Sequence, residues 1–269
     1  MLSKIQETAD FIRTKINSNP KTGIILGTGL GDLVSEISDK IEIPYEIIPN
    51  FPLSTVEGHS GKLIFGKLGN VEVLAMQGRF HYYEGYDMKA VTFPVRVMAA
   101  LGIDTLLVSN AAGGMNPHFE IGDLMIITDH INHFPEHPLR GHNFKELGTR
   151  FPDMSEAYSK DLIAKAKEIG RKNKIKLVEG VYVGTSGPSF ETPAEYKFFR
   201  IIGGDAVGMS TVPEVIVAKH AGMKCFGISI ISDLGVEGKI VEINHEEVLQ
   251  IGNAVQPLMT LIMKELING

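Results

Sequence analysis

Apolar residues recur along this chain at two spacings, and the order in which those spacings alternate predicts its elements. Ile5, Ala9, Ile12 and Ile16 fall on one helical face, so the chain opens with an amphipathic helix that stops before Asn19-Pro20. The short apolar run 23–26 reads as a strand and feeds a glycine turn, with a helix expected over 32–38. Residues 62–67 and 71–77 read as two strands joined at Gly69-Asn70 as a hairpin. Helical spacing returns over 88–101 at Val91, Val95, Met98 and Leu101, with Pro94 as a kink. The continuous apolar runs 104–108 and 123–128 suit buried strands. A charged helix over 155–174 turns Leu162, Ile163, Ala166 and Ile169 inward. Strands 177–185 and 205–209, a helix 212–221, a strand 223–232 and a closing helix 246–267 continue the alternation. The expected fold class is α/β, a largely buried mixed or parallel sheet between helices.

Composition narrows this picture. With 269 residues, 43% hydrophobic and 22% charged, the chain can bury a large core, and no linker, repeat or low-complexity run divides it, so one domain over 1–269 is expected. A net charge of −6 argues against a nucleic-acid surface but leaves room for a local basic pocket that holds a small anion. The single cysteine, Cys225, cannot form an internal disulfide and lies in an apolar run, which fits a reducing compartment. Lys4, Glu7 and Asp10 interrupt the N-terminal apolar residues and no stretch has the length of a membrane helix, so a cytoplasmic protein without a membrane partner is expected.

Several stretches are poorly explained as scaffold. Gly27-Thr28-Gly29-Leu30-Gly31 follows a strand, where backbone N–H groups can converge on an anion. A tight turn, a phosphate site and a dinucleotide site all remain open, although the third glycine sits one residue early for G-x-G-x-x-G. His59, between Gly58 and Gly61, either binds a ligand or faces solvent. In the block 78–86, Arg79 and His81 resist burial without an acceptor, and an oxyanion is the simplest acceptor they would share. The small residues of 109–115, at the carboxyl end of a strand, let a ligand approach the backbone. Glu191 follows Phe190 and precedes Thr192-Pro193, a helix start that holds a carboxylate near a sheet end. His130, His133, His137 and His142 raise the question of zinc, but no cysteine lies nearby and H-E-x-x-H is absent; a polar surface or interface loop is the expectation, with no metal.

Three blocks, Gly-Arg-Phe-His-x-Tyr-Glu-Gly, Asn-Ala-Ala-Gly-Gly, and Gly-Pro-Ser-Phe-Glu-Thr followed by Val-Gly-Met-Ser-Thr-Val-Pro-Glu, occur here in an order and spacing that resembles the purine nucleoside phosphorylase family of the trimeric type. The resemblance runs from Gly27 to Leu249. It implies a twisted mixed sheet flanked by helices and a homotrimer with active sites near subunit contacts. It also implies a reaction in which a purine ribo- or deoxyribonucleoside and orthophosphate give free base and pentose 1-phosphate. Thr28, His59, Arg79, His81, Asn110, Ala111 and Ser210 would then hold phosphate; Thr28 stands where a serine is common, a change that keeps the hydroxyl. Tyr83, Met209 and His245 would hold the sugar, with Phe151 from a neighbouring subunit. Ala111, Phe190, Glu191, Val207, Met209 and Asp233 would surround the base, and Arg79, His81, Glu191 and Asp233 would carry the chemistry. Orthophosphate is the co-substrate, and no metal or organic cofactor is implied.

One departure from the family pattern bears on the substrate. Where Thr-Asn is common, this chain has Ser232-Asp233. Asparagine donates through its amide, an ionised aspartate only accepts, and a protonated one donates to N7. The related 5′-methylthioadenosine phosphorylases carry Asp in this region, which makes them an alternative; a non-catalytic nucleoside-binding protein is another. Against the first, His245 suits a free 5′-hydroxyl. Asp233 either turns away from the base or shares its pocket with Glu191, and in the second case like-charge repulsion raises at least one apparent pKa of the pair.

Overall fold

The fold is described from a computed structural model for residues 1–16, 18–27, 31–53 and 61–269. In chain order the regular elements are α1 (Leu2–Arg13), β1 (Thr22–Leu26), β2 (Ile37–Pro44), β3 (Lys62–Leu68), β4 (Val71–Gln77), α2 (Met88–Val91), α3 (Phe93–Ala100), β5 (Thr105–Gly114) and β6 (Leu124–Asn132). They continue as α4 (Lys160–Asn173), β7 (Leu177–Gly184), α5 (Pro193–Ile201), β8 (Ala206–Gly208), α6 (Val212–His220), β9 (Lys224–Leu234) and α7 (His245–Asn268). The strands form one mixed sheet in the order β2-β3-β4-β1-β5-β8-β7-β6-β9. β1 is parallel to both β4 and β5, whereas β2, β3 and β4 form an antiparallel meander at one end. β9 also pairs in parallel with β5, so β5, β8, β7, β6 and β9 close into a ring.

The buried strands sort their side chains to two faces because successive Cβ atoms point to opposite sides of a sheet. Ile25, Leu106 and Val108 meet α1, α3 and α6 on one face, whereas Ile24, Leu26 and Leu107 join Ala166 of α4 and Met259, Ile262 and Met263 of α7 on the other. Continuous apolar runs such as β1, buried at every position, are what a sheet covered on both faces requires.

Some boundaries differ from the sequence expectation. The helix expected over 32–38 is a 3-10 turn, Gly31–Glu36, running straight into β2, a strand the apolar pattern did not announce because Asp39, Lys40 and Glu42 face solvent. The helix expected over 88–101 breaks at Thr92, and Pro94 sits in the first turn of α3, where its missing N–H sacrifices no helical bond. α4 starts at Lys160 rather than 155, and β6 runs on to Asn132, taking in His130. The largest difference concerns β5. Its small residues at 109–114 do not form a loop but continue the ladder with β9, Ser109 opposite Ile228 and Gly114 opposite Leu234. Glycine serves there because space is short: a Cβ on Gly114 would lie 2.8 Å from Ile231 Cγ2. Among the described residues, no helix is long and apolar enough to cross a membrane.

Candidate active site

The carboxyl ends of β4, β5, β8 and β9 converge on a cavity of about 340 Å³, closed on its flank by Phe190 and Glu191 and by His245 at the start of α7. Open α/β sheets bind ligands at this end. The cavity has two chemically distinct poles.

At the first pole the floor is backbone. Gly27 follows β1 and lies so close to β5 that a Cβ there would be 2.7 Å from the Ser109 carbonyl oxygen and 3.2 Å from Arg79 Nη1. Arg79 leaves the end of β4 and is buried, 1% exposed. Its Nε and Nη2 donate to the two carboxylate oxygens of Glu214 at 3.0 and 2.9 Å, and its Nη1 donates to the Ser109 carbonyl at 2.6 Å and to Ser210 Oγ at 3.2 Å. Glu214 is itself buried in the first turn of α6. His81 donates its backbone N–H to Glu84 Oε1 at 2.8 Å, keeps Nδ1 3.0 Å from the same oxygen, and stacks on Tyr83 at 4.7 Å. Burial holds the His81 ring below its ordinary pKa, ahead of the opposing pull of Glu84. A neutral ring whose Nδ1–H faces Glu84 carries its lone pair on Nε2. Each of the two is paired with a protein carboxylate, Arg79 with Glu214 and His81 with Glu84, because a buried guanidinium needs a charge partner built into the fold.

Asn110 on β5 donates from Nδ2 to Thr211 Oγ1 at 2.8 Å, while its buried Oδ1 has no protein partner. Ser210 Oγ lies 3.1 Å from that same Thr211 hydroxyl, which can give or take a proton and so lets the amide turn either end to a ligand. Thr211 has φ 68 and ψ −53, and the Val212 N–H donates to the Ser210 carbonyl at 2.7 Å. This is a γ-turn of the rare, strained hand, on a buried β-branched residue, at a cost of about 1–3 kcal/mol. Its effect is local: the chain reverses in one residue, leaving Ser210 on the cavity wall and starting α6 with Glu214 under Arg79.

The second pole is acidic. Glu191 sits ahead of α5, whose Thr192 cap accepts from the Glu195 N–H while the Glu195 carboxylate reaches back to the Thr192 N–H. Thr185 Oγ1 donates to Glu191 Oε1 at 3.5 Å. Burial, and then the charge of Asp233, push the Glu191 carboxyl up to about 7. Asp233 faces the cavity rather than turning away: Tyr196 O–H donates to its Oδ2 at 2.9 Å and Ser232 Oγ to its Oδ1 at 2.8 Å. Two carboxylates share this pole, and Glu191 is raised chiefly by its burial, with the charge of Asp233 adding to it. Val207 is a buried wall and Phe190, 42% exposed, forms a rim.

Between the poles stand Tyr83, Ala111, Met209 and the exposed His245. Burial pushes the Tyr83 hydroxyl up to about 12. Phe151 is 86% exposed, with the Arg150 guanidinium 5.9 Å above its ring, and does not line this cavity. Thr28 and His59 lie outside the described residues. The histidine-rich segment is spent elsewhere: His130 Nδ1 is 3.1 Å from the Tyr158 hydroxyl, His133 packs on Phe198 and Phe199, and His142 packs on Phe144.

Sequence reasoning brought Arg79, His81, Asn110, Ala111, Glu191, Val207, Met209, Ser210, Asp233 and His245 to one cavity but missed Glu84, Glu214, Thr211 and Tyr196 behind it. Glu84 and Glu214 lie inside the quoted blocks and were legible as unexplained acids. Tyr196 sits on the buried face of α5, where an aromatic reads as core.

The model of the Phosphorylase superfamily matches residues 21–268. Purine nucleoside phosphorylase 1 of Geobacillus stearothermophilus is 53% identical over 265 residues, spanning 98% of this chain and 97% of that protein. The Bos taurus purine nucleoside phosphorylase is 50% identical over 260 residues, spanning 92% and 88%. Among solved structures, a schistosoma purine nucleoside phosphorylase in complex with hypoxanthine superposes with a TM-score of 0.94 at 42% identity, covering 99% of this chain and 96% of the other. The Schistosoma mansoni enzyme in complex with adenosine matches with the same TM-score, identity and coverage.

Proposed function

The chain belongs to the purine nucleoside phosphorylases of the phosphorylase superfamily, and we propose that its two-poled cavity splits purine nucleosides with orthophosphate into free purine and pentose 1-phosphate. The observation that carries this reading is the meeting of opposite chemistries in one cavity, with Arg79, His81, Asn110 and Ser210 at one end and Glu191 and Asp233 at the other.

Orthophosphate lies at the Arg79 pole. The guanidinium is neutralised by Glu214, so its Nη1, the Ser210 hydroxyl, the Asn110 amide and the Ala111 backbone act as a preorganised set of dipoles beside a paired charge. Thr28 and His59 complete this pole by resemblance. The sugar spans Tyr83, Met209 and His245, and the base lies between Phe190 and Val207 with Glu191 and Asp233 at its far edge. A phosphate oxygen attacks C1′ as the C1′–N9 bond breaks and its electron pair goes to the purine. Positive charge builds on the sugar, as in glycoside hydrolysis, and the phosphate stabilises it. Negative charge builds on the purine, and the proton that burial retains on Glu191 meets it. The residues supply every element of this step without a metal or organic cofactor.

The exposed Phe151 ring suits a role in a neighbouring subunit's cavity, and the functional unit is a homotrimer. Free, buried Cys225, whose thiol burial pushes up to about 12, is compatible with a cytoplasmic setting. The net charge of −6 disfavours nucleic acid as a partner.

Release of free base from adenosine, inosine and guanosine, with and without phosphate, tests the reaction. Phosphorolysis requires phosphate and yields pentose 1-phosphate; release that proceeds unchanged without phosphate identifies a hydrolase, and binding without release identifies a non-catalytic binding protein. Asp233 on the cavity wall favours one second reading, phosphorolysis of 5′-methylthioadenosine. Turnover of that thioether far below adenosine rejects it.

A further inference from the structure

A second cavity, of about 590 Å³, lies between α5 and the segment 235–240, and it shares no lining residue with the first. Its size is that of sites that bury a small organic molecule. The floor is apolar. Met115 and Tyr196 are 2% and 3% exposed and belong to a small core cluster with Val183, Phe199 and Val207, against which the half-buried Ile240 packs. The segment 235–240 arches over this floor and is fastened at both feet. At one foot the Gly235 N–H donates to the Gly114 carbonyl at 2.8 Å, and the residue lies so close to the Tyr196 ring that a Cβ there would come within 2.1 Å of it. At the other, Ile240 returns to the floor and Lys239 Nζ donates to the Pro117 carbonyl at 3.4 Å. Between the feet the Lys239 N–H donates to the Val236 carbonyl at 2.8 Å, closing a turn through Gly238 at φ 80. The arch holds the cavity open in advance of any ligand.

The rim supplies the chemistry. Ile201, the last residue of α5, lines the cavity while 74% exposed, and Val241 just past the arch is 71% exposed, so the apolar surface runs out to the mouth. Charge at the mouth is opposite to that of the chain: Lys197, Arg200 and Lys239 stand against one lining acid, Glu237, whereas the whole chain carries −6. Arg200 is engaged by Asp205 Oδ1 at 2.5 Å and by the Gly204 carbonyl at 3.1 Å. Lys197, on the cavity wall, has no partner among the described residues. We propose that this cavity is a second binding site, which takes an aromatic monocarboxylate with its rings on Met115, Tyr196 and Ile240 and its carboxylate at Lys197. A methionine and a phenol ring side by side favour a flat aromatic over a compact polar group. Glu237 at the same mouth opposes a more highly charged group such as a phosphate ester.

Titration calorimetry with 2-naphthoate and its neutral amide, naphthalene-2-carboxamide, tests the site in the wild type, Lys197→Met and Val236→Trp. The wild type should take up one naphthoate per protomer with a Kd below about 1 mM, a modest demand on a ligand of this size. It should bind the amide about fivefold more weakly. Lys197 is exposed, so Lys197→Met should weaken naphthoate by only about threefold to fivefold at low salt, leave the amide unmoved, and lose its effect near 1 M salt. Val236→Trp, which fills the cavity, should remove both. Phosphorolysis by Lys197→Met without naphthoate should equal that of the wild type. Absence of saturable uptake overturns the proposal, as it would if a neighbouring subunit covered the groove. Lys197→Met acting equally on acid and amide, or on neither, overturns it too. Saturating inosine without phosphate separates the two cavities: naphthoate that inosine expels completely sits in the first, and the proposal falls. That arm alone leans on the preceding reading. If inosine itself does not bind, the reaction assignment is in trouble, while the Lys197 and Val236 variants still decide the second cavity. Should Val236→Trp not fold, the Lys197→Met comparison of acid with amide decides by itself.

Discussion

Glu191 and Ser210 show how single groups set the behaviour of this site. The Glu191 carboxyl, ordinarily near 4.5, is raised to about 7 by burial and by Asp233. Between these values the folded chain binds more protons than the unfolded one, so stability falls as pH rises through that window and is fully retained below it. The loss at the upper end is roughly 3 kcal/mol for a shift of this size. Urea unfolding between pH 4.5 and 8 is expected to show that slope in the wild type and to lose it in Glu191→Gln; an unchanged slope in the variant removes Glu191 as its source. At the other pole, Ser210 offers one hydroxyl to a charged ligand, a bond of about 1.5 kcal/mol, so Ser210→Ala should raise the KM for phosphate about tenfold. A phosphate titration in which KM is unmoved takes Ser210 out of that pole. Both residues were legible in the sequence because each sits where small and polar residues interrupt a strand end. Tyr196 and Thr211 were not, since a residue's role behind a ligand-facing group depends on long-range contact and leaves no local signature.

The Arg79–Glu214 pair joins the end of β4 to the first turn of α6, with side chains 1% and 4% exposed. Removing one partner leaves the other as an uncompensated buried charge, so Glu214→Ala should cost about 3–5 kcal/mol in urea unfolding. A loss below about 1 kcal/mol would show that water or a neighbouring group already satisfies Arg79. β6 carries a second titrating group, the half-buried His130, whose ring is held down to about 4 by desolvation. Here the unfolded chain binds the extra proton, so stability is lost as pH falls from about 6.5 through 4, opposite in sign to Glu191. His130→Phe should flatten that acid limb. Elements of strong period were readable from the pattern alone, as β1, β3, β4 and α7 attest. β2 was not, because a half-exposed strand with Asp39, Lys40 and Glu42 outward has too few apolar positions to register. The end of β5 was not, because glycine and alanine announce a loop until a facing strand explains their size.

At the scale of the molecule, both apolar layers draw on the first and last helices of the chain, α1 on one face and α7 on the other. A single calorimetric transition is expected, and two separable transitions would divide the chain into domains. Mass in solution should be three times the 29.4 kDa protomer, and Phe151→Ala should depress turnover without moving the melting temperature of the assembly. A fully active Phe151→Ala variant would show that the ring reaches no neighbouring cavity. The α/β class followed from the alternation of spacings, whereas the ring did not, since β8 is three residues long and the β5–β9 ladder joins segments far apart in sequence. That closure has a bearing on how the protein behaves when concentrated. A strand that pairs on both sides offers no template to another chain, and β9, last in the sheet order, is paired to both β6 and β5. Among the described strands the free edge is therefore β2, where Lys40 and Glu42 project outward, the register shifts between Ser38 and Ile41, and Pro44 ends the run. Charge, irregular register and proline are each hostile to strand addition, so edge-to-edge stacking and the fibrils that grow from it find little purchase on the native fold.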